Sequence, residues 1–435
     1  MATHNATLPP RAHRAPATRY VVQVVLLALV GLGIYAYIQE LSDGMAVTGM
    51  RNLGPGGGAT WGLYITFVIY FVGLSFAGIS TAAVIRLAKL EALRPVARMA
   101  EVLTVVCLQL AALTIVADLG QPLRGIVNLF RYARPQSPFF GTFTLVISGY
   151  LFASLVYLYL DGRRDAIIWA NQGAPYAGFL RSWAAGYRDT PPERERHQRA
   201  SFWLAIAIIP LLVTAHSTLG FVFGLQVGRP GWYSALQAPA FVMLAGVSGV
   251  GMLLIMAALA RRSARFGERM SLPIFRILGI FMLVMLIVYL YFVVVELLTN
   301  VYTGSTRERD VMTELIGGRY AWIYWSAIAL FVIALALTVA RLVVPSLRTR
   351  VWPLVIAGLL VNVGAVGKRF LIVVPSQTDG QLLPYDRGSY VPAWSEYAVI
   401  AGLIALGVLM ILGFAKIFPI VELPHDDETG KEGAA

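Results

Sequence analysis

Three ionisable residues stand in or at the end of apolar stretches of this chain: Asp118, His216 and Glu296. A charge in a lipid-embedded helix costs about 2.5–3.5 kcal/mol on insertion scales unless it is paired or hydrated, so each needs an explanation. His216 is the only histidine in an apolar run; His4, His13, His197 and His425 lie in polar tails or a charged loop. Haem held between helices takes paired histidines as axial ligands, which one histidine cannot supply. Cys107, the single cysteine, rules out a disulfide framework, a CxxC pair or a thiolate iron–sulfur site within this chain, and no companion ligand makes a metal site. Electron handling by such a chain would run through a bound organic carrier such as a quinone, with His216 as its proton partner.

Each residue has a second use open to it. Asp118 closes an apolar run in Asp118-Leu119-Gly120-Gln121-Pro122, where Gly and Pro stop a helix; it is either a ligand or a cap and ion-pair partner for Arg124. Glu296 lies near the end of another run, with nothing basic within two turns before it. It takes up or passes a proton unless Lys368 or Arg369 of another helix pairs with it. His216, beside Thr214, Ser217 and Thr218, is either a satisfied structural histidine or a ligand. Gln39, Glu40 and Asn128 lie at loop edges and carry weaker signals, and Arg86 and Glu101 read as interfacial charges.

The elements that position these residues follow from hydropathy. The chain is 58% hydrophobic and 13% charged, against about 25% charged in soluble domains, so lipid is the solvent for most of it. Apolar runs near 20–39, 61–85, 100–117, 140–160, 201–224, 238–260, 274–298, 321–345, 352–374 and 394–418 predict about ten spanning helices. Lys368 and Arg369 interrupt the ninth, and Pro210 falls in the fifth, where a bundle tolerates it. The chain therefore reads as an all-α polytopic membrane protein, with an N-terminal tail over 1–19, a transmembrane domain over 20–418 and an acidic tail over 419–435. The first run lacks a small-residue cleavage pattern and reads as a retained helix.

An even number of spans puts both termini on one side, and about two-thirds of the Lys and Arg fall there. The positive-inside rule makes that side cytoplasmic, in a cell membrane. The net charge of +12 is then a topology signal, not a nucleic-acid footprint. The loop from Asp161 to Arg199 reads as solvated surface with a short amphipathic helix near 166–183. On the opposite side, stretches rich in Gly, Pro, Trp and Tyr at 54–58, 134–138, 229–233 and 375–394 can fold into a cap. Taken singly, Trp61, Trp232, Tyr233 and Trp394 fit an interfacial aromatic belt.

Several segments, taken in order, resemble the NrfD/PsrC-type membrane subunits, the quinone-reacting polytopic subunits of polysulfide reductase, Hmc/Dsr-type redox complexes and alternative complex III. Gln39, Gly44, Val47-Thr48-Gly49-Met50 and Trp61-Gly62-Leu63-Tyr64-Ile65 resemble the family's first-loop pattern. Asp118-Leu119-Gly120-Gln121-Pro122 resembles its D/H-L-G-R/Q-P signature, and Pro135-Gln136-Ser137-Pro138 its P-x-S-x element. His216-Ser217, Arg229-Pro230-Gly231-Trp232-Tyr233 and Ala238-Pro239 are similar to H-S…P-x-W…P-x-F, and Glu296-Leu297-Leu298-Thr299 with Tyr302 to E-x-L-T-x-x-Y. The set covers about residues 20–418. The chain departs from alternative-complex-III members at Lys368-Arg369-Phe370, where an acidic residue is expected before Arg, and at Phe139-Phe140, where relatives commonly carry Trp-Asp.

The resemblance implies two antiparallel four-helix bundles with flanking helices. It implies quinone or quinol (menaquinone or ubiquinone) near the extracytoplasmic face, and no haem or iron–sulfur cluster in this chain. An iron–sulfur subunit would dock on that face, with multihaem cytochrome or molybdopterin subunits as further partners. In that frame His216 contacts a quinone oxygen as hydrogen-bond partner or proton acceptor. Asp118 orients it or takes the second proton, and Glu296 lines the pocket or starts a proton path, possible translocation included. Gln39, Tyr64, Asn128 and Tyr302 are further binding candidates. Such a subunit is not active alone. Two other readings use the same residues: a secondary transporter, which calls for inverted repeats and paired broken helices, and a passive anchor for redox partners.

Overall fold

The computed structural model describes residues 17–50, 60–88, 90–132, 134, 136, 144–174, 176–263, 267–379 and 388–421. The outer parts of both tails, the Gly-rich stretch 54–58, most of the Pro135–Pro138 element, Phe139-Phe140 and the middle of the 375–394 stretch lie outside the described residues.

The helices are α1 (Ala17–Asp43), α2 (Leu63–Leu87), α3 (Arg94–Asp118), α4 (Pro122–Tyr132), α5 (Thr144–Asn171), α6 (Ala177–Ala184), α7 (Pro191–Gly224), α8 (Gln237–Arg261), α9 (Leu272–Leu298), α10 (Thr306–Ile316), α11 (Ala321–Val343), α12 (Trp352–Val373), α13 (Pro375–Thr378) and α14 (Trp394–Ile417). Apolar runs of this length become helices because only an internal hydrogen-bond ladder satisfies every backbone group in lipid. Among the described residues nine are long and apolar enough to cross a membrane. α2 adds an apolar stretch, Leu63–Phe76, within a helix that continues to Leu87. Each of the ten predicted spans thus has its helix, and the protein is an all-α polytopic membrane protein. Pro stands in the first turn of α3, α7, α9 and α12, where its missing N–H breaks no helical bond.

The long helices sort into two groups of four. α2, α3, α5 and α7 pack in a ring, as do α8, α9, α11 and α12, and α2 joins the groups by packing on α8 and α12. α1 and α14 pair with each other, and α14 lies against α3. Small residues let the bundles close: a Cβ on Gly358 of α12 would lie 2.6 Å from the Gly251 carbonyl oxygen of α8. One end of the assembly, where α3, α7, α9 and α12 finish, carries α4, α10 and α13 and is called the cap end; the other is the basic end.

At the basic end the helices outrun their apolar segments. α3 begins at Arg94, α5 continues to Asn171, and α7 begins at Pro191. Most of the segment expected to be solvated surface is therefore helix, and the short helix there is 177–184. Charge pairing is the reason. Buried Arg98 donates to Asp161 and to Asp165, each at 3.0 Å, and Arg164 pairs with Asp189 at 3.0 Å. Glu101 is likewise buried inside α3, not interfacial.

At the cap end Trp232 is buried, donates to the Ile372 carbonyl at 2.5 Å and stacks on Trp61 at 5.7 Å between ring centroids. The Gln377 carboxamide accepts from the Thr60 and Trp61 N–H groups, both at 3.0 Å. These aromatics belong to a packed cap. Tyr233 and Trp394 are half exposed, as a belt requires.

Candidate functional site

Glu296 lines a crevice between α8, α9 and α12 together with Tyr289, Lys368 and Arg369. Tyr289, Val293 and Glu296 recur at i, i+4 and i+7, so one face of α9 turns all three inward, and all three line the crevice. Across from them stand Lys368 and Arg369, in the last two turns of α12. Neighbours on a helix diverge by about 100°, so adjacent cations reach different partners. Lys368 Nζ donates to Glu296 Oε2 at 2.7 Å and lies 5.6 Å from the Tyr324 ring centroid. The carboxylate is thus paired with Lys368 and not with Arg369.

Arg369 points the other way, onto α2. Its residue is 1% exposed, and neither Nε nor Nη2 has a hydrogen-bond partner among the described residues. A Cβ added to Gly73 would lie 2.2 Å from Nη2, so this glycine makes room for the guanidinium. The Tyr289 hydroxyl beside it is also buried without a partner. Unpartnered buried donors on two residues that line one crevice are costly, because a buried charge normally requires hydrogen bonds to compensate its lost water. The crevice as a whole has about 20 Å³ of interior space, enough for a water. Its walls are apolar (Leu236, Phe241, Leu244, Phe292), and Gln237 and Ser234 add polar groups. A second crevice of about 10 Å³ lies across the ion pair, beneath α10, lined by Asn300, Glu308 and Ser376 among others. Glu296 and Lys368 border both, so the pair stands between the interhelical crevice and the cap. A π-helical turn, Thr299–Thr303, follows α9 directly after the carboxylate.

The other sequence candidates lie elsewhere. His216 is buried, with Nδ1 2.8 Å from the Leu212 carbonyl oxygen and Nε2 2.8 Å from that of Val72. A neutral imidazole has one N–H and can donate to only one of these acceptors. Phe76 and Tyr150 pack edge-on against the ring. His216 therefore sits wedged between α7 and α2, with Nε2 against the Val72 carbonyl, one residue from the glycine that receives Arg369. Asp118 is buried at the end of α3, beside a backbone carbonyl of Val116 that Tyr37 engages at 3.3 Å. Gln39 is half-buried and donates to Tyr35 at 3.0 Å. Asn128 and Tyr302 are exposed, Tyr302 at 83%. Of the seven candidates only Glu296 lines the crevice.

Tyr64 belongs to a separate buried cluster that sequence reasoning did not assemble. Its hydroxyl donates to Glu40 at 2.6 Å, and Tyr390 donates to Glu396 at 2.5 Å. Glu396 also accepts from the Gly49 and Ala393 N–H groups, both at 2.8 Å. Both carboxylates are at most 1% exposed, and neither forms an ion pair among the described residues. Burial, with Glu396 beside it, pushes the Tyr390 hydroxyl far above its ordinary range, so it remains a donor. The cluster ties α1, the first loop, α2 and α14 together under the cap. Glu40 carried a weak signal, and nothing in the sequence singled out Glu396, in the first turn of α14. Arg369 was legible only as a partner for Glu296, which is Lys368's role. No group of three or more His, Cys, Asp or Glu among the described residues could hold a metal ion.

Two four-helix bundles joined through α2, with a polar crevice at one end, define a polytopic bundle subunit that works in the membrane. Known proteins of similar sequence narrow the class. Residues 51–379 match the NrfD family, described as polysulphide reductase, NrfD, and the chain belongs to that family. It is similar to a protein of Halobacterium salinarum named, by inference, as a membrane component of dimethyl sulfoxide reductase (29% identity, covering 94% of this chain and 93% of that protein). It is also similar to a component of the selenate reductase of Mesobacillus selenatarsenatis (25%, covering 92% and 94%). A third relative is the Hdr-like menaquinol oxidoreductase integral membrane subunit of Archaeoglobus fulgidus (24%, covering 92% and 93%). The chain is thus an integral membrane subunit of the oxidoreductase-complex type.

Proposed function

We propose that this chain is the quinone-reactive membrane subunit of a respiratory oxidoreductase, and that quinol or quinone reacts at the crevice between α8, α9 and α12. The orphaned Arg369 guanidinium carries this reading. A buried cation without protein partners is kept when a ligand oxygen completes its hydrogen bonds. The apolar walls suit a flat ring and a prenyl tail, and two relatives are named for menaquinol or menaquinone. The bound carrier supplies two-electron, two-proton chemistry. Arg369 and Tyr289 donate hydrogen bonds in the crevice. Glu296 accepts a proton at Oε2 when its hold on Lys368 loosens, and the pair's position between two crevices gives that proton an exit under α10. A ring enters as half-buried wall side chains such as Phe292 and Leu236 swing aside.

His216 acts in this scheme as a positioning residue, wedged against Val72 and so holding Gly73 against Arg369. Electrons leave to an iron–sulfur partner subunit docked on the cap. The distribution of Lys and Arg supports a cap end outside and both termini in the cytoplasm.

The test uses the assembled complex carrying Arg369→Met. Quinol turnover is expected to fall about a hundredfold, the scale for losing a charge-stabilising donor, with weaker binding of a quinol-analogue inhibitor and no loss of thermal stability. Unchanged turnover and inhibitor binding would refute the crevice; unchanged turnover with no inhibitor binding to this subunit would favour the passive-anchor reading.

A further inference from the structure

At the basic end, far from the crevice, α9 and α11 enclose a hollow of about 350 Å³ lined by Arg276, Arg341, Leu342 and Arg348. Three arginines border this one space, Arg341 buried and Arg276 and Arg348 exposed, and together they favour an anion there. None of the three forms an ion pair with a carboxylate among the described residues, and Arg276 forms no hydrogen bond there. Arg341 is buried and spends only Nε on the protein, on the Arg350 carbonyl oxygen at 2.9 Å. Arg348 caps the end of α11, with Nε 3.2 Å from the Leu342 carbonyl oxygen and Nη2 3.3 Å from that of Val343. Arg276 is close enough for its charge to bear on Arg341. Like charges held together in this way repel unless something negative sits between them.

The setting identifies the anion. The hollow lies where two spanning helices end, at the depth of lipid headgroups. From Arg276 an exposed apolar stripe runs along the same face of α9 into the membrane: Ile280, Val284 and Ile287 are 39%, 54% and 51% exposed. A phosphate in the hollow and an acyl chain along the stripe form one continuous ligand. We propose that Arg276, Arg341 and Arg348 form a seat for the phosphate of an anionic phospholipid, whose acyl chain lies along α9.

Basic pockets between helices favour anionic headgroups, and each basic residue near the surface contributes enough for roughly a fivefold change in binding. The double variant Arg276→Gln/Arg348→Gln spares buried Arg341 and leaves the crevice untouched. The complex, extracted in mild detergent and washed, is examined by native mass spectrometry after addition of phosphatidylglycerol, phosphatidylcholine or inorganic phosphate. The wild type is expected to keep phosphatidylglycerol in preference to phosphatidylcholine, the double variant to retain it about tenfold or more less well, and Arg276→Lys to keep most of it. Equal retention by the double variant overturns the proposal. So does displacement of the lipid by millimolar inorganic phosphate, which would make the hollow a site for soluble anions. Quinol turnover is measured alongside; its persistence in the double variant keeps this result separate from the fate of the crevice.

Discussion

The Glu296–Lys368 pair yields the sharpest test of the crevice, because its two halves fail in opposite ways. In Glu296→Gln the Lys368 ammonium, 5% exposed, loses its carboxylate. In Lys368→Met the Glu296 carboxylate, 25% exposed, loses its cation. Removing one partner of a buried ion pair leaves the other uncompensated, at a cost of up to about 3–5 kcal/mol. Water reaches the glutamate, so Lys368→Met is expected to cost about 2 kcal/mol, while the deeper lysine makes Glu296→Gln cost about 3–4 kcal/mol. The double variant holds no charge there and is expected to lie within about 1 kcal/mol of wild type, because each substitution removes the charge that the other leaves unpaired. The assay is unfolding of the two single variants and the double variant, followed by tryptophan fluorescence. Additive penalties in the double variant would refute the pairing and the proton role built on it.

Three further outcomes follow from the same geometry. Gly73→Ala puts a methyl group 2.2 Å from Arg369 Nη2; the guanidinium must move, and quinol turnover is expected to drop at least tenfold, about 1.4 kcal/mol of transition-state stabilisation, while the complex still assembles. His216→Ala removes the contact with Val72 and leaves a cavity, at about 3 kcal/mol in an unfolding assay; inhibitor affinity is expected to change less than in Arg369→Met, and an equal loss would make His216 a direct ligand. Tyr390→Phe removes both the donor to Glu396 and the acceptor of the Leu63 N–H at 2.6 Å. It is expected to cost about 2–3 kcal/mol, read as a lower melting temperature, and a neutral result would show that the buried carboxylates are held by other contacts.

Hydropathy made the ten helices legible, because a spanning helix announces itself by its length of apolar sequence, and solvent alone dictates that pattern. The Lys368-Arg369 interruption did not break α12, since both cations sit in its last turns, where one meets Glu296 and the other a crevice. The extra helical turns at the basic end were not legible. Asp161, Asp165 and Arg98 look like solvated charges until the chain brings α3 against α5 and pairs them.

The chemistry-bearing residues divide on the same line. Their presence in apolar sequence marked Glu296 and His216, because lipid tolerates few such groups and each stands out locally. Their partners are 72 and 144 residues away along the chain, and periodicity within one helix says nothing about which neighbour its inner face will meet. Composition and spacing therefore determined that this is a helical membrane bundle with a few costly polar groups. Only the packing of α12 against α8 and α2 decided that Lys368 would neutralise Glu296, that Arg369 would stand orphaned on Gly73, and that His216 would hold the helix between them.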